Sequence, residues 1–144
     1  MKMKTNNYII FLDIDGVMNS TCFQKKNTPV IVEENKAKIL LNIIKETGAK
    51  VVLTSLRRVV EWDELCDLFK KFNIELYDKT PNISLDKSKE IHKWLDEHKD
   101  VDNYVVIDDK DMSEIFNERF ILINHCFGIT KSKVTKVIKA LLEG

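Results

Sequence analysis

Short apolar runs alternate along this chain with longer stretches of helical periodicity. Tyr8-Ile9-Ile10-Phe11-Leu12 is continuous in apolar side chains, as in a strand covered on both faces, and it stops abruptly at Asp13-Ile14-Asp15-Gly16. A polar loop over residues 19–29 leads to residues 33–47, where Ala37, Leu40, Leu41, Ile43 and Ile44 recur at helical spacing until Gly48 ends the pattern. Residues 50–55 read as a second strand. A helix is expected over residues 59–72, with Trp62, Leu65, Cys66 and Phe69 on one side, then a short strand over 74–77 and a loop over 78–85. Asp86 or Ser88 is placed to cap a helix carrying Ile91, Trp94 and Leu95. Residues 104–107 form an apolar strand closed by Asp108-Asp109, and a short helix over 112–116 precedes a strand over 120–123. The last helix, 131–142, turns Val134, Val137, Ile138 and Leu141 inward and its lysines outward.

This alternation predicts an α/β fold, a three-layer α/β/α sandwich on a Rossmann-like, mostly parallel sheet of about five strands. Composition narrows the picture further. A length of 144 residues corresponds to one domain, 1–144. Only four glycines and two prolines are present, which disfavours a turn-rich sandwich or barrel. Lys plus Arg and Asp plus Glu are 23 each, so no general basic surface exists for a long nucleic-acid footprint. Cys22, Cys66 and Cys126 are odd in number and widely spaced, which suggests unpaired thiols in a reducing, cytoplasmic setting rather than a disulfide framework or a zinc site. The first apolar run is too short for a secretory core, and no stretch is expected to enter a membrane.

In open α/β sheets ligands bind beyond the carboxyl ends of the strands. The residues there are Asp13 and Asp15 after the first strand, Thr54 and Ser55 after the second, and Asp108 and Asp109 after the fourth. Lys87 opens a helix where it can reach the same edge, with Lys89 as the other candidate. Four carboxylates cannot all be ionised at close range without a cation. Oxygen-only ligation points to Mg²⁺, since no His or Cys lies in these segments. A hard cation, an ammonium and a hydroxyl together describe a cradle for a phosphoryl group.

Asp13-Ile14-Asp15-Gly16-Val17 after an apolar strand resembles the first motif of the haloacid dehalogenase (HAD) superfamily of phosphohydrolases, and Thr54, Lys87 and Asp108-Asp109 follow in that superfamily's order. Asp13 through Asn19, residues 47–55 with Arg58, Glu90-Ile91, Trp94-Leu95 and residues 127–130 resemble the compact HAD domain of Swiss Army knife RNA repair proteins. Arg57 departs from that pattern, which has tryptophan there. The resemblance implies a HAD-like fold and a phosphomonoester hydrolase in which Asp13 is the nucleophile and Asp15 the general acid and base. It assigns Mg²⁺ to Asp13, the Asp15 carbonyl, Asp108 and Asp109, and phosphoryl binding to Thr54 and Lys87. Gly16, Asn19, Ser55 and Arg58 are the remaining substrate-side candidates. The intervals between motifs leave no room for a cap domain, so the implied substrate is a nucleic-acid terminal phosphate, RNA or DNA, with a small nucleotide or sugar phosphate as the alternative. No obligate protein partner is expected.

Plainer readings stand beside these. Asp-x-Asp-Gly can be a solvated turn and Asp108-Asp109 a helix cap. Arg57 is placed for an ion pair with Glu61 or Asp63 as much as for a substrate clamp. Asn19 and Ser20 are placed to touch a leaving group. Trp62, Phe69 and Trp94 fit core positions better than a base-stacking platform, and His92, His98 and His125 fit surface or packing positions. A receiver-like phosphoacceptor domain and a non-catalytic binding module share parts of the pattern. A receiver, however, carries its phosphorylated Asp on the third strand, whereas Asp-x-Asp here ends the first.

Overall fold

The structure is a computed structural model and describes residues 6–24 and 30–144. The loop expected over 19–29 is therefore described as far as Gln24, and its remainder lies outside the described residues. Five strands, β1 (Tyr8–Leu12), β2 (Lys50–Leu53), β3 (Leu76–Lys79), β4 (Asn103–Asp108) and β5 (Phe120–Leu122), form one sheet in the order β3-β2-β1-β4-β5. Every strand pair is parallel. The helices are α1 (Glu34–Thr47), α2 (Arg57–Val60), α3 (Trp62–Lys70), α4 (Lys87–Glu97), α5 (Ser113–Phe116) and α6 (Val134–Glu143).

The two sheet faces are filled by different helices, which makes three layers. Ile10, Leu12, Val51, Leu53, Val105 and Ile107 pack against Leu40 and Ile43 of α1, Leu65 and Phe69 of α3, and Val137 and Leu141 of α6. The alternate residues Ile9, Phe11, Val52 and Val106 pack against Ile91 and Trp94 of α4 and Phe116 of α5. Phe11 stands edge-on to Trp94 and Tyr104, with ring centroids 5.4 and 5.7 Å away. Continuous apolar runs became central strands because both faces of the sheet are covered. The described residues contain no cap domain, and none of their helices is long and apolar enough to cross a membrane.

Local boundaries follow the expected physics, with three differences. Gly48 ends α1 in the left-handed conformation (φ 72°), its N–H bonding the Ile44 carbonyl at 2.7 Å. Asp86 caps α4 by accepting from the Ser88 N–H at 2.9 Å. The helix expected over 59–72 is instead two helices that meet at Glu61 (φ −114°), because the first of them turns Arg58 inward. The third strand begins two residues later than expected: Ile74 bonds back to the Phe69 carbonyl and enters the core beneath α3. The last helix starts with a 3₁₀ turn, Lys131–Lys133.

The cysteines differ most from expectation. Cys22 and Cys126, separated by 104 residues in sequence, form a disulfide with Cα atoms 4.5 Å apart, and only Cys66 is free. That separation lies within the roughly 4.4–6.8 Å that a bridge requires. The spacing rule failed because the pair joins two loops that tertiary folding brings together. Cysteine usage therefore gives no ground for placing the chain in a reducing compartment.

Candidate active site

Sheet register assembles the site. Leu12 pairs with Leu53 on one side and with Ile107 on the other, so the next residues, Asp13, Thr54 and Asp108, stand in one row. Two backbone bonds continue the ladders beyond the strands, Asp13 N–H to the Ile107 carbonyl at 3.1 Å and Thr54 N–H to the Leu12 carbonyl at 3.0 Å. Leu12, Leu53 and Ile107 face α1 and α6. Strand alternation therefore turns the three polar residues toward the α4 side, where Lys87 is the first residue of the helix. This row lies at the switch point, since the chain runs outward from β1 to β3 and then resumes on β1's other side with β4.

Lys87 Nζ sits 3.1 Å from an Asp13 oxygen and 2.9 Å from an Asp108 oxygen. Lys87 is thus the lysine of the site, while Lys89 is exposed. One oxygen each from Asp13, Asp108 and Asp109 lies within 4.8 Å of the others. Burial, together with the Asp108 charge, pushes the Asp13 carboxyl up to about 7 despite Lys87. Asp109 is raised by burial and by Asp108 as well. Burial pulls the Lys87 ammonium downward, but the two carboxylates outweigh it and raise it above its ordinary value. Three crowded carboxyls against one ammonium leave an excess of negative charge that a hard divalent cation would neutralise. Thr54 Oγ1 is buried and has no hydrogen-bond partner, an unmet donor aimed at the same row. Oxygen-only donors and an orphaned hydroxyl fit Mg²⁺ and a phosphoryl group.

Asp15 is separated from this cluster. Its carboxylate is gripped by Arg57, Nε to Oδ2 at 2.7 Å and Nη2 to Oδ1 at 3.2 Å, while Arg57 Nη1 reaches Glu61 at 3.1 Å. Partial burial raises the Asp15 carboxyl, but the Arg57 bonds prevail and hold it below its usual range. The Asp15 side chain is thus committed to Arg57 rather than to the acidic cluster. Arg57 makes the expected pair with Glu61; the fork onto Asp15 was not legible, because residues 15 and 57 meet only across β1 and β2.

Three substrate-side candidates make bonds within the loops around the site. Asn19 is buried, accepting from the Gly16 N–H at 2.9 Å and donating to the Ile31 carbonyl at 2.9 Å, so it shapes the turn. Ser55 is buried, and its hydroxyl accepts from the Arg57 N–H at 3.2 Å. Arg58 is 1% exposed and bonds the carbonyls of Thr80, Thr54, Ser55 and Pro81 and a Glu90 carboxylate oxygen. Four of its N–H donors are thus spent on carbonyls, and Nη2 also pairs with the Glu90 carboxylate at 3.1 Å inside the fold. Ser20 is likewise taken, by the Glu33 carboxylate. Gly16 remains at the crest: its φ of +82° suits glycine, and a Cβ there would collide with the Asp109 carboxylate and meet the His125 Cβ at 2.8 Å. Sequence reading missed Glu90 as the partner of Arg58. The available signal was its position four residues before Trp94, on the inward side of α4.

The histidines are spread around the molecule. His98 stacks on Trp94 with centroids 3.7 Å apart, and His92 stacks on Phe116 at 5.2 Å. His125 instead joins the crest, its Nδ1 at 2.7 Å from Thr21 Oγ1 and its ring beside Cys22 and Cys126.

No curated protein and no solved structure matches the chain. A family model, described as the HAD domain in Swiss Army Knife RNA repair proteins, matches residues 9–134, from β1 to the start of α6. With its parallel sheet and acidic crest, the chain belongs to that HAD domain family.

Proposed function

We propose that this protein is a Mg²⁺-dependent phosphomonoester hydrolase acting through a phosphorylated Asp13. The observation that carries this reading is the arrangement of Asp13, Asp108, Asp109 and Lys87 around one point, with the unpartnered Thr54 hydroxyl beside it. Asp13, Asp108, Asp109 and the Asp15 carbonyl would hold the cation, which would supply positive charge to the phosphoryl oxygens. Asp13 attacks phosphorus and the ester oxygen departs, leaving an aspartyl-phosphate. Thr54 Oγ1 and Lys87 Nζ donate to the phosphoryl oxygens, and Lys87 together with the cation would favour the ionised form of Asp13 against its burial. Asp15 delivers a proton to the departing alcohol and later takes one from the attacking water. That role requires Arg57 to loosen its grip on Asp15 when substrate arrives.

An uncapped crest admits a phosphate at the end of a large molecule, and the family's description as RNA repair proteins favours a nucleic-acid end. The formal net charge of +0 suits recognition of a terminus rather than of a long backbone. Phosphate release from a generic monoester, with and without EDTA, tests the chemistry. Activity that survives chelation or Asp13→Asn rules this mechanism out. Parallel assays on 3′-phosphorylated oligonucleotides, 5′-phosphorylated oligonucleotides and free nucleotides then identify the substrate.

A further inference from the structure

Two exposed phenylalanines sit on loops that pack against the first-motif turn and have no role in the core. Phe23 is 67% exposed and Phe127 is 50% exposed, yet their rings pair with centroids 5.4 Å apart and planes tilted by 35°. Each follows directly on a cysteine of the Cys22–Cys126 disulfide, so one covalent bridge holds both rings. Further bonds join the two loops to each other and to the first-motif turn. Thr21 N–H donates to the His125 carbonyl at 3.0 Å, and Ile129 N–H donates to the Val17 carbonyl at 2.8 Å. Gly128 is packed so closely that a Cβ would stand 2.8 Å from the Asn19 carbonyl and 2.9 Å from that of Val17. His125, two residues before Phe127, lies against Gly16, which in turn touches the Asp109 carboxylate.

We propose that Phe23 and Phe127 form a stacking platform for the nucleobase of the terminal nucleotide whose phosphate meets Asp13. This rests on the phosphohydrolase reading above and adds what the enzyme recognises beyond the phosphate. The chemistry is specific to a flat aromatic partner: aromatic side chains held outward in water lose little on stacking and gain about 1–3 kcal/mol per base. Because the disulfide holds the two loops together before binding, less ordering cost opposes that gain. An exposed aromatic pair of this kind also discriminates little among bases, which suits an enzyme that acts on ends of any sequence.

Two oligonucleotides of equal length with the same terminal phosphate test the proposal, one bearing a base on the last nucleotide and the other abasic there. The base-bearing end is turned over with kcat/KM about 5- to 150-fold higher, the stacking energy above converted to a rate ratio. Phe23→Ala and Phe127→Ala bring that ratio toward one and leave the abasic rate unchanged, whereas Phe127→Trp preserves it. A wild-type ratio of one, or a ratio unaffected by both alanines, overturns the proposal. If the wild-type protein is a dimer that either alanine splits while the ratio stays put, the pair holds a second copy, and the proposal is equally overturned. Should neither end be hydrolysed, the phosphohydrolase reading fails separately. Fluorescence anisotropy of the same two oligonucleotides with the Asp13→Asn protein then decides the platform: tighter binding of the base-bearing end supports it, and equal or absent binding removes it.

Discussion

Asp13 and Asp15 are two residues apart, yet the protein treats them in opposite ways. Asp13 is 6% exposed, shares Lys87 with Asp108 and is pushed up to about 7 by burial and by its acidic neighbour. The Asp15 side chain is 53% exposed, and Arg57 overcomes its partial burial and holds it low. The floor of the site therefore stores excess negative charge, which suits a cation. The rim pairs its charges in water, where ion pairs are weak and exchangeable. A nucleophile needs a fixed position among the groups that neutralise phosphate, whereas an acid and base must change protonation state during turnover, so it is held by a partner that can let go.

The strongest break in this comparison is Asp13→Asn. Phosphate release is expected to fall by on the order of 10⁴ to 10⁶, as for other essential nucleophiles. The same substitution acts in the opposite direction on metal-free stability. A carboxyl raised from 3.8 to about 7 costs the fold stability as pH climbs through that window, because the native state must give up a proton the unfolded chain has already lost. In EDTA the wild-type melting temperature drops between pH 5 and pH 8, and Asp13→Asn reduces the drop. An unchanged slope in the variant assigns the pH dependence to other groups.

Arg58 and Arg57 sharpen the contrast, since neighbouring arginines serve the two regions. Arg58→Ala leaves Glu90 buried and unpaired and is expected to cost about 3–5 kcal/mol, read from urea unfolding. A cost under 1 kcal/mol is incompatible with the buried clamp described above. Reduction of Cys22–Cys126, or the Cys22→Ser/Cys126→Ser double variant, is expected to cost about 2–4 kcal/mol, because the bridge closes a long loop. Thermal unfolding with and without dithiothreitol measures it, and coincident curves are evidence against the bridge. Arg57→Ala is the mildest: stability changes by less than about 1 kcal/mol. Asp15 loses the partner that keeps it ionised, so the alkaline limb of the pH–rate profile moves to higher pH. A limb that stays in place separates Asp15 protonation from the Arg57 fork.

Legibility in the sequence follows the same divide. The apolar runs of β1, β2 and β4 could be read because both of their faces are buried. Asp13, Thr54 and Asp108 could be read because each ends a strand. Lys87 followed from its place at the start of α4, after the Asp86 cap. Arg58 could not be read: beside Arg57 it looks like surface charge, and only Glu90 and the carbonyls of four loop residues show why it is buried. The backbone bonds of Asn19 were illegible for a similar reason, since a short amide just past an acidic turn looks equally suited to bond substrate or backbone. Of the helical aromatics, Phe69 and Trp94 are core as expected, and Trp62 is half-buried beneath Lys79. The exposed aromatic pair lay instead on two loops with no periodicity to reveal it.

By itself the amino-acid sequence determined the order of strands and helices, their covered faces and the acidic strand ends, because these depend on local propensity and on the period of burial. Tertiary structure decided the rest. Parallel register set Asp13, Thr54 and Asp108 in a row, and the crossing from β3 back to β4 opened the switch point beside them. Loop approach over 104 residues joined Cys22 to Cys126 and brought Phe23 onto Phe127. The physical reason is that periodicity reports which side of an element is buried, whereas a contact between distant loops depends on where the whole sheet carries them.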